Sequence, residues 1–191
     1  MTELWYRPIN WPKTERVDED FPLPVTIVEE PNLDVGLPPV AHRTARRQLQ
    51  IPMTTQGTAY AAGDSFGTQF RFPSVLRPRR KSGVIHSAMF YDLSDQGAAV
   101  DMHLFRRAPA IVTDNAAYNV TDADILLYLG TISFAAANFI DVGGSRVCTV
   151  LNVGLAVVSD DEDLYVQCST TGTPTVTAGS EPHVAIVVLQ D

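Results

Sequence analysis

Cysteine is scarce in this chain, with two in 191 residues. That is too few for the disulfide framework of a small secreted domain. Cys148 and Cys168 fall in separate expected strands; two buried thiols are the expectation, and pairing is geometrically open. Long apolar runs are missing as well, since none approaches the roughly 20 residues that cross a bilayer as a helix. The opening Met1-Thr2-Glu3-Leu4-Trp5-Tyr6-Arg7-Pro8 lacks the basic start and apolar stretch of a secretion signal. No membrane partner is expected, and the protein is expected to mature where it is made. Basic residues almost vanish after residue 107: Arg146 is the single base among ten acids in residues 108–191, whereas residues 1–107 carry thirteen bases and twelve acids. So acidic a C-terminal half argues against nucleic acid as partner. Internal repeats, low-complexity tracts and βα alternation are also lacking, which excludes a parallel α/β sheet.

What is present divides into two materials near Gly57. Residues 1–56 hold eight of the thirteen prolines and both tryptophans. Proline removes backbone donors and fixes φ, so this segment cannot build a central strand or a long helix. It reads as an extended N-terminal arm, with Val25–Val28 as one short edge strand and a helical turn or two between Val40 and Gln50. Residues 57–191 read as a single β domain of short alternating runs.

In that domain Phe66, Phe70 and Phe72 alternate with Gln69 and Arg71, the period of a half-buried strand. Further strands are expected at Gly83–Leu93, Val100–Phe105, Ile132–Ile140, Arg146–Asn152, Leu155–Val158, Leu164–Ser169 and His183–Leu189. Thr121 with Asp124 three residues later predicts the start of one short helix, Ile125–Leu129, stopped by Gly130. About eight strands with regular turn signals indicate an all-β sandwich or barrel.

Reactive motifs are present but poorly set. Gly63-Asp64-Ser65-Phe66-Gly67 matches G-x-S-x-G, with Asp160–Asp163 and His183 following in hydrolase order. That motif works on a strained turn from a buried strand into a helix. Here small polar residues precede it and a proline-ended strand follows, so a glycine-rich turn is expected and no enzyme. His42, His86, His103 and His183 lack metal-ligand spacing, although His86 and His103 could meet across a sheet. Consecutive acids at Asp160–Asp163 do not alternate as a calcium loop requires and read as a solvated hairpin tip. No cofactor or metal is expected.

Two features point to partners. Trp5, Tyr6, Trp11 and Phe21 give the arm large aromatics, each burying on the order of 150–250 Å² when docked. A disordered tail normally lacks such residues, so the arm is expected to dock on a neighbouring chain, with folding back on its own domain as the alternative. The run Arg77-Pro78-Arg79-Arg80-Lys81 reads as a solvated loop between strands. Its functional alternative is a salt-sensitive contact with an acidic surface, such as a neighbouring copy's C-terminal half.

Across residues 59–191 the turns resemble a family of tailed-bacteriophage structural proteins encoded beside the major capsid protein. The track begins with Tyr60-Ala61-Ala62-Gly63-Asp64 and Gly67, then Ser82-Gly83-Val84-Ile85-His86-Ser87 and Asp101-Met102-His103-Leu104-Phe105. After Pro109 it continues with Thr113-Asp114-Asn115-Ala116-Ala117-Tyr118, Asp122-Ala123-Asp124 and Asn152-Val153-Gly154. Leu164-Tyr165, Thr171-Gly172-Thr173-Pro174 and Leu189-Gln190-Asp191 close it. The resemblance implies a jelly-roll-like sandwich that cements or decorates an icosahedral head. Its implied partners are the major capsid protein and further copies of itself, as dimer or trimer, on the exterior of a virion assembled in the host cytoplasm. A tail, collar or head-fibre component is the alternative, and a carbohydrate-binding attachment module is another.

Overall fold

The computed structural model describes residues 45–177 and 181–190. Trp5, Tyr6, Trp11, Phe21 and the Val25–Val28 segment lie outside the described residues. Among the described residues the strands are β1 (Ala45–Pro52), β2 (Phe70–Phe72), β3 (Ser82–Asp92), β4 (Val100–Phe105), β5 (Tyr128–Phe134), β6 (Phe139–Asp141), β7 (Arg146–Val158), β8 (Leu164–Thr170) and β9 (His183–Gln190). They form two antiparallel sheets, one in the order β1-β9-β3-β7-β6 and one in the order β2-β8-β4-β5.

Leaving aside the short β6, the pairs nest. First pairs with last (β1–β9), second with next to last (β2–β8), then β3 with β7 and β4 with β5. A long hairpin of four nested strand pairs, rolled so that β3 also meets β9 and β4 also meets β8, is a jelly roll. The expected all-β sandwich is therefore the architecture.

Alternation explains which residues fill it. Val100, Met102 and Leu104 of β4 turn inward and are at most 2% exposed, while Asp101 and His103 between them face outward. Phe72, Phe90, Phe134 and Ile85 complete the core between the sheets. Strand β9 runs between β1 and β3 and is buried almost throughout, which is why His183–Leu189 reads as a continuous apolar run. Both cysteines are free and buried, Cys148 on β7 and Cys168 on β8 in the opposite sheet.

Four local expectations are corrected. Residues 45–52, inside the segment read as arm and in part as helix, form β1. Leu49 and Ile51 are the large aliphatics there, because an edge strand needs one dry face, and Arg46, Gln48 and Gln50 are exposed. The two runs Arg146–Asn152 and Leu155–Val158 are one strand. Asn152 (φ 54°) and Gly154 (φ 66°), which look like a turn, form a bulge that places three residues of β7 opposite His86 alone. Ile132–Ile140 is not one strand: β5 ends at Phe134, a 3-10 turn spans Ala136–Asn138, and β6 joins the other sheet. The short helix is a single 3-10 turn, Ile125–Leu127. Thr121 Oγ1 does receive the backbone N–H of Asp124 and bonds its carboxylate, but Tyr128 is already extended and pairs with Phe105.

Candidate interaction surface

Strand register brings one end of the sandwich together. Ala45 and Gly83 both lie opposite Gln190, Ser82 opposite Val158, Phe72 opposite Leu164, and Phe105 opposite Tyr165. Arg77–Lys81 connects toward β3 at that end. Arg71 on β2, Arg106 and Arg107 after β4, and Arg46 and Arg47 on β1 join it. Nine of the ten lysines and arginines among the described residues thus share one end, and Arg146 sits at the other. The sequence singled out Arg77, Arg79, Arg80 and Lys81; the other five come from three separate strands and only the register gathers them. Arg77, Pro78, Arg79 and Arg80 line an open recess of about 380 Å³.

The acids of this end are not the solvated tip expected. Asp163 is 9% exposed and accepts the Ser74 N–H and the Arg71 guanidinium, each at 2.7 Å. Arg106 Nε donates to Asp160 at 2.7 Å, and Lys81 Nζ donates to the Asp160 carbonyl at 2.6 Å. Asp161 accepts the Asp163 N–H at 2.8 Å and the Tyr165 hydroxyl at 2.9 Å. Burial by itself would raise the Asp161 pKa. Those bonds, the Ser159 hydroxyl and nearby Lys81 outweigh it and hold the carboxyl below the usual range. The acidic loop therefore braces the basic loop, and both leave one fixed surface on which Arg46, Arg79, Arg80 and Arg107 are exposed.

A second surface lies along the side where β5, β6 and β7 meet. Ile125, Leu126, Ile140, Val142, Leu151 and Val158 are all more than half exposed there, Leu126 the most at 79%. Exposed aliphatics of this size make this side a candidate contact surface.

The outward face of the four-stranded sheet is instead roofed by its own chain. The Tyr118 ring stacks on His103 at 4.5 Å, and Gln167 Nε2 donates to the Ala110 carbonyl at 2.9 Å. His103 Nε2 lies 2.9 Å from Ser169 Oγ, while Nδ1 faces the hydroxyls of Thr131 and Tyr128, which also bond each other. Burial lowers the His103 pKa, with Asp101 opposing. Serine beside histidine here is not a nucleophile and base. Ser169 is 7% exposed, and hydroxyls rather than a carboxylate orient the ring. His86, exposed on β3 of the other sheet, does not meet His103.

The G-x-S-x-G turn is structural. Ser65 is 1% exposed, with its Oγ toward the Gly67 carbonyl at 3.4 Å. His183 bonds Gln50 beside Pro52, whereas Asp160–Asp163 sit at the basic end, so the acid and the base of the hydrolase reading do not come together. Among the described residues no cluster of three or more His, Cys, Asp or Glu is placed to hold a metal, and no helix is long and apolar enough to cross a membrane.

No family model and no curated protein matches the sequence. Among solved structures, a chain in the native virion of Kashmir bee virus at neutral pH is similar at 11% identity and a TM-score of 0.27, over 93% of this chain and 82% of that one. A chain in a full particle of Israeli acute paralysis virus heated to 63 degrees is similar at 12% identity and a TM-score of 0.27, over 92% and 82%. Superposition this loose carries no argument, and the jelly roll rests on the strand pairing above.

Proposed function

We propose that this chain is a structural virion protein that cements or decorates an icosahedral phage capsid by binding between major capsid protein subunits. The observation that supports the reading best is the division of its surface into a cationic end and an aliphatic side edge. One face of the fold is roofed by its own chain, and the segments that carry charge and grease are held rigidly for contact. The resemblance supplies the setting. Its scattered residues also act together: Tyr60, Gly67 and Asp114 meet at one carboxylate, and His103 meets Tyr118.

The mechanism is mechanical. The jelly roll sits at a seam, and the segment that precedes β1 reaches across a neighbour with Trp5, Tyr6, Trp11 and Phe21 as anchors. Many weak identical contacts then sum over the shell, as linked binding does. Self-association as dimer or trimer fits closed symmetry. No enzymatic step is part of this role.

The test is quantitative mass spectrometry of purified virions. A copy number simply related to that of the major capsid protein supports cementing; a handful per particle moves the chain to a vertex, collar or tail. Deleting residues 1–20 is expected to leave the sandwich folded and abolish shell attachment, and retained attachment would overturn the role of the arm.

A further inference from the structure

The cationic end has a counterpart within the same sequence. Residues 15–34 carry seven acids and one base, including Asp18-Glu19-Asp20 and Glu29-Glu30. No other stretch of comparable length in the sequence is so acidic, and in the shorter acidic run Asp160, Asp161 and Asp163 already bond Arg106, Tyr165, Arg71 and Ser74. We propose that the basic end of the jelly roll receives residues 15–34 of a neighbouring copy, so that arms are exchanged between subunits. This rests on the reading above that the arm reaches a neighbour, and it names which part of the arm binds and where.

Three observations carry it. Arg46, Arg79 and Arg107 are exposed on a surface where Asp160, Asp161 and Asp163 are engaged in bracing the loops. The acceptor is rigid, since Leu76 N–H bonds the Glu162 carbonyl and Ser159 N–H the Lys81 carbonyl, so little loop ordering is paid on docking. The acidic segment is tethered by residues 35–44, ten residues that span at most about 35 Å when extended. A Leu-Pro-Pro sequence such as Leu37-Pro38-Pro39 disfavours the sharp reversal that a short tether would need to return to its own domain.

The contact is electrostatic and exposed, so salt must weaken it: the Debye length shrinks from about 10 Å at 0.1 M to about 3 Å at 1 M. The experiment uses the full chain in analytical ultracentrifugation at low and high salt, with two charge-reversed variants. One is R79E/R107E, which spoils the acceptor; the other is D18K/E19K/D20K, which spoils the arm. Wild type is expected to self-associate at low salt and dissociate at high salt. Each variant is expected to weaken association by about tenfold or more, as close charge pairs do across interfaces. The two variants mixed should form a mixed species through the one intact arm and one intact acceptor, and combining all five changes in one chain should restore association. Thermal unfolding of each variant separates a lost contact from a lost fold, and R79E alone serves if the double variant unfolds.

A wild type that stays monomeric at low salt would overturn arm exchange in favour of docking within one chain. Association unmoved by either variant would overturn the charge contact. A monomer whose R79-dependent binding is to an added oligonucleotide would replace the peptide by nucleic acid. The reading as a virion protein fails separately, by absence from purified particles.

Discussion

The hydroxyl of Tyr60 donates to the carboxylate of Asp114, 2.9 Å from one oxygen and 3.0 Å from the other, across 54 residues of chain. The same carboxylate accepts the backbone N–H of Gln56 and of Gly67, each at 2.7 Å. Burial, and then the bond to Asp114, push the Tyr60 pKa well above the usual phenolic value. One buried carboxylate thus pins the chain between β1 and β2 to the loop that roofs the four-stranded sheet.

Asp114→Ala leaves three donors without their acceptor, and a buried donor left unmade costs about 1–3 kcal/mol. The expected loss is about 4 kcal/mol in urea unfolding, against about 1 kcal/mol for Tyr60→Phe, which removes one bond and keeps the acceptor's others. A double-mutant cycle should show the pair strongly coupled; additive losses would mean the carboxylate does not act as the shared pin.

His103 makes stability fall on acidification. Its folded pKa lies below the ordinary value of 6.5, first because burial disfavours the imidazolium. The unfolded chain therefore binds its proton at a higher pH than the folded one. The contribution is complete above about 6.5 and is lost as pH falls from there through the folded pKa. Unfolding midpoints measured from pH 8 to 5 should decline, and His103→Gln should flatten that decline. A variant as steep as wild type would assign the pH dependence elsewhere.

Gly83 and Gly143 separate crowding from backbone conformation. A Cβ at Gly83 would lie 2.8 Å from the Leu189 carbonyl oxygen and 3.0 Å from a Val188 methyl, within the β3–β9 ladder. Gly83→Ala should cost about 2–3 kcal/mol through forced strand separation. At Gly143 nothing lies within 4 Å, and only the φ of +89° resists a side chain. Gly143→Ala should cost about 1 kcal/mol. Chemical denaturation of both variants ranks them, and a reversed order would mean the β3–β9 spacing yields.

The thiols report on the core. Cys148 and Cys168 are at most 1% exposed, and burial raises both pKa values, so neither supplies thiolate at neutral pH. A thiol reagent should label neither in the native protein and both in denaturant. Rapid native labelling of Cys168 would mean that β8 opens locally.

Much of the fold was legible because its central strands are either period-two segments with one dry face, as in β4, or a continuous apolar run buried on both faces, as in β9. Val100–Phe105 is found with the expected bounds, and Gly83–Leu93 and His183–Leu189 within a residue of theirs. The edges were not legible. In β1 two aliphatics among arginines and glutamines look like loop, since an edge strand shows water one face and one rim. The bulge in β7 looked like a turn because Asn and Gly take positive φ in both.

Composition and spacing alone determined that this chain is all-β, led to the expectation of two buried thiols, and showed that every cation but Arg146 lies before residue 108 while the acids divide almost evenly between the two parts. Those are local properties, set by alternation, by turn residues and by which side chains tolerate burial. Only the tertiary structure decided that Arg46, Arg71, Arg79 and Arg107, up to 61 residues apart, share one end. It alone turned Asp161 and Asp163 inward as braces and joined Tyr60 to Asp114. Nested strand pairing brings residues from opposite ends of the chain side by side, and no local pattern encodes which strand will be the neighbour.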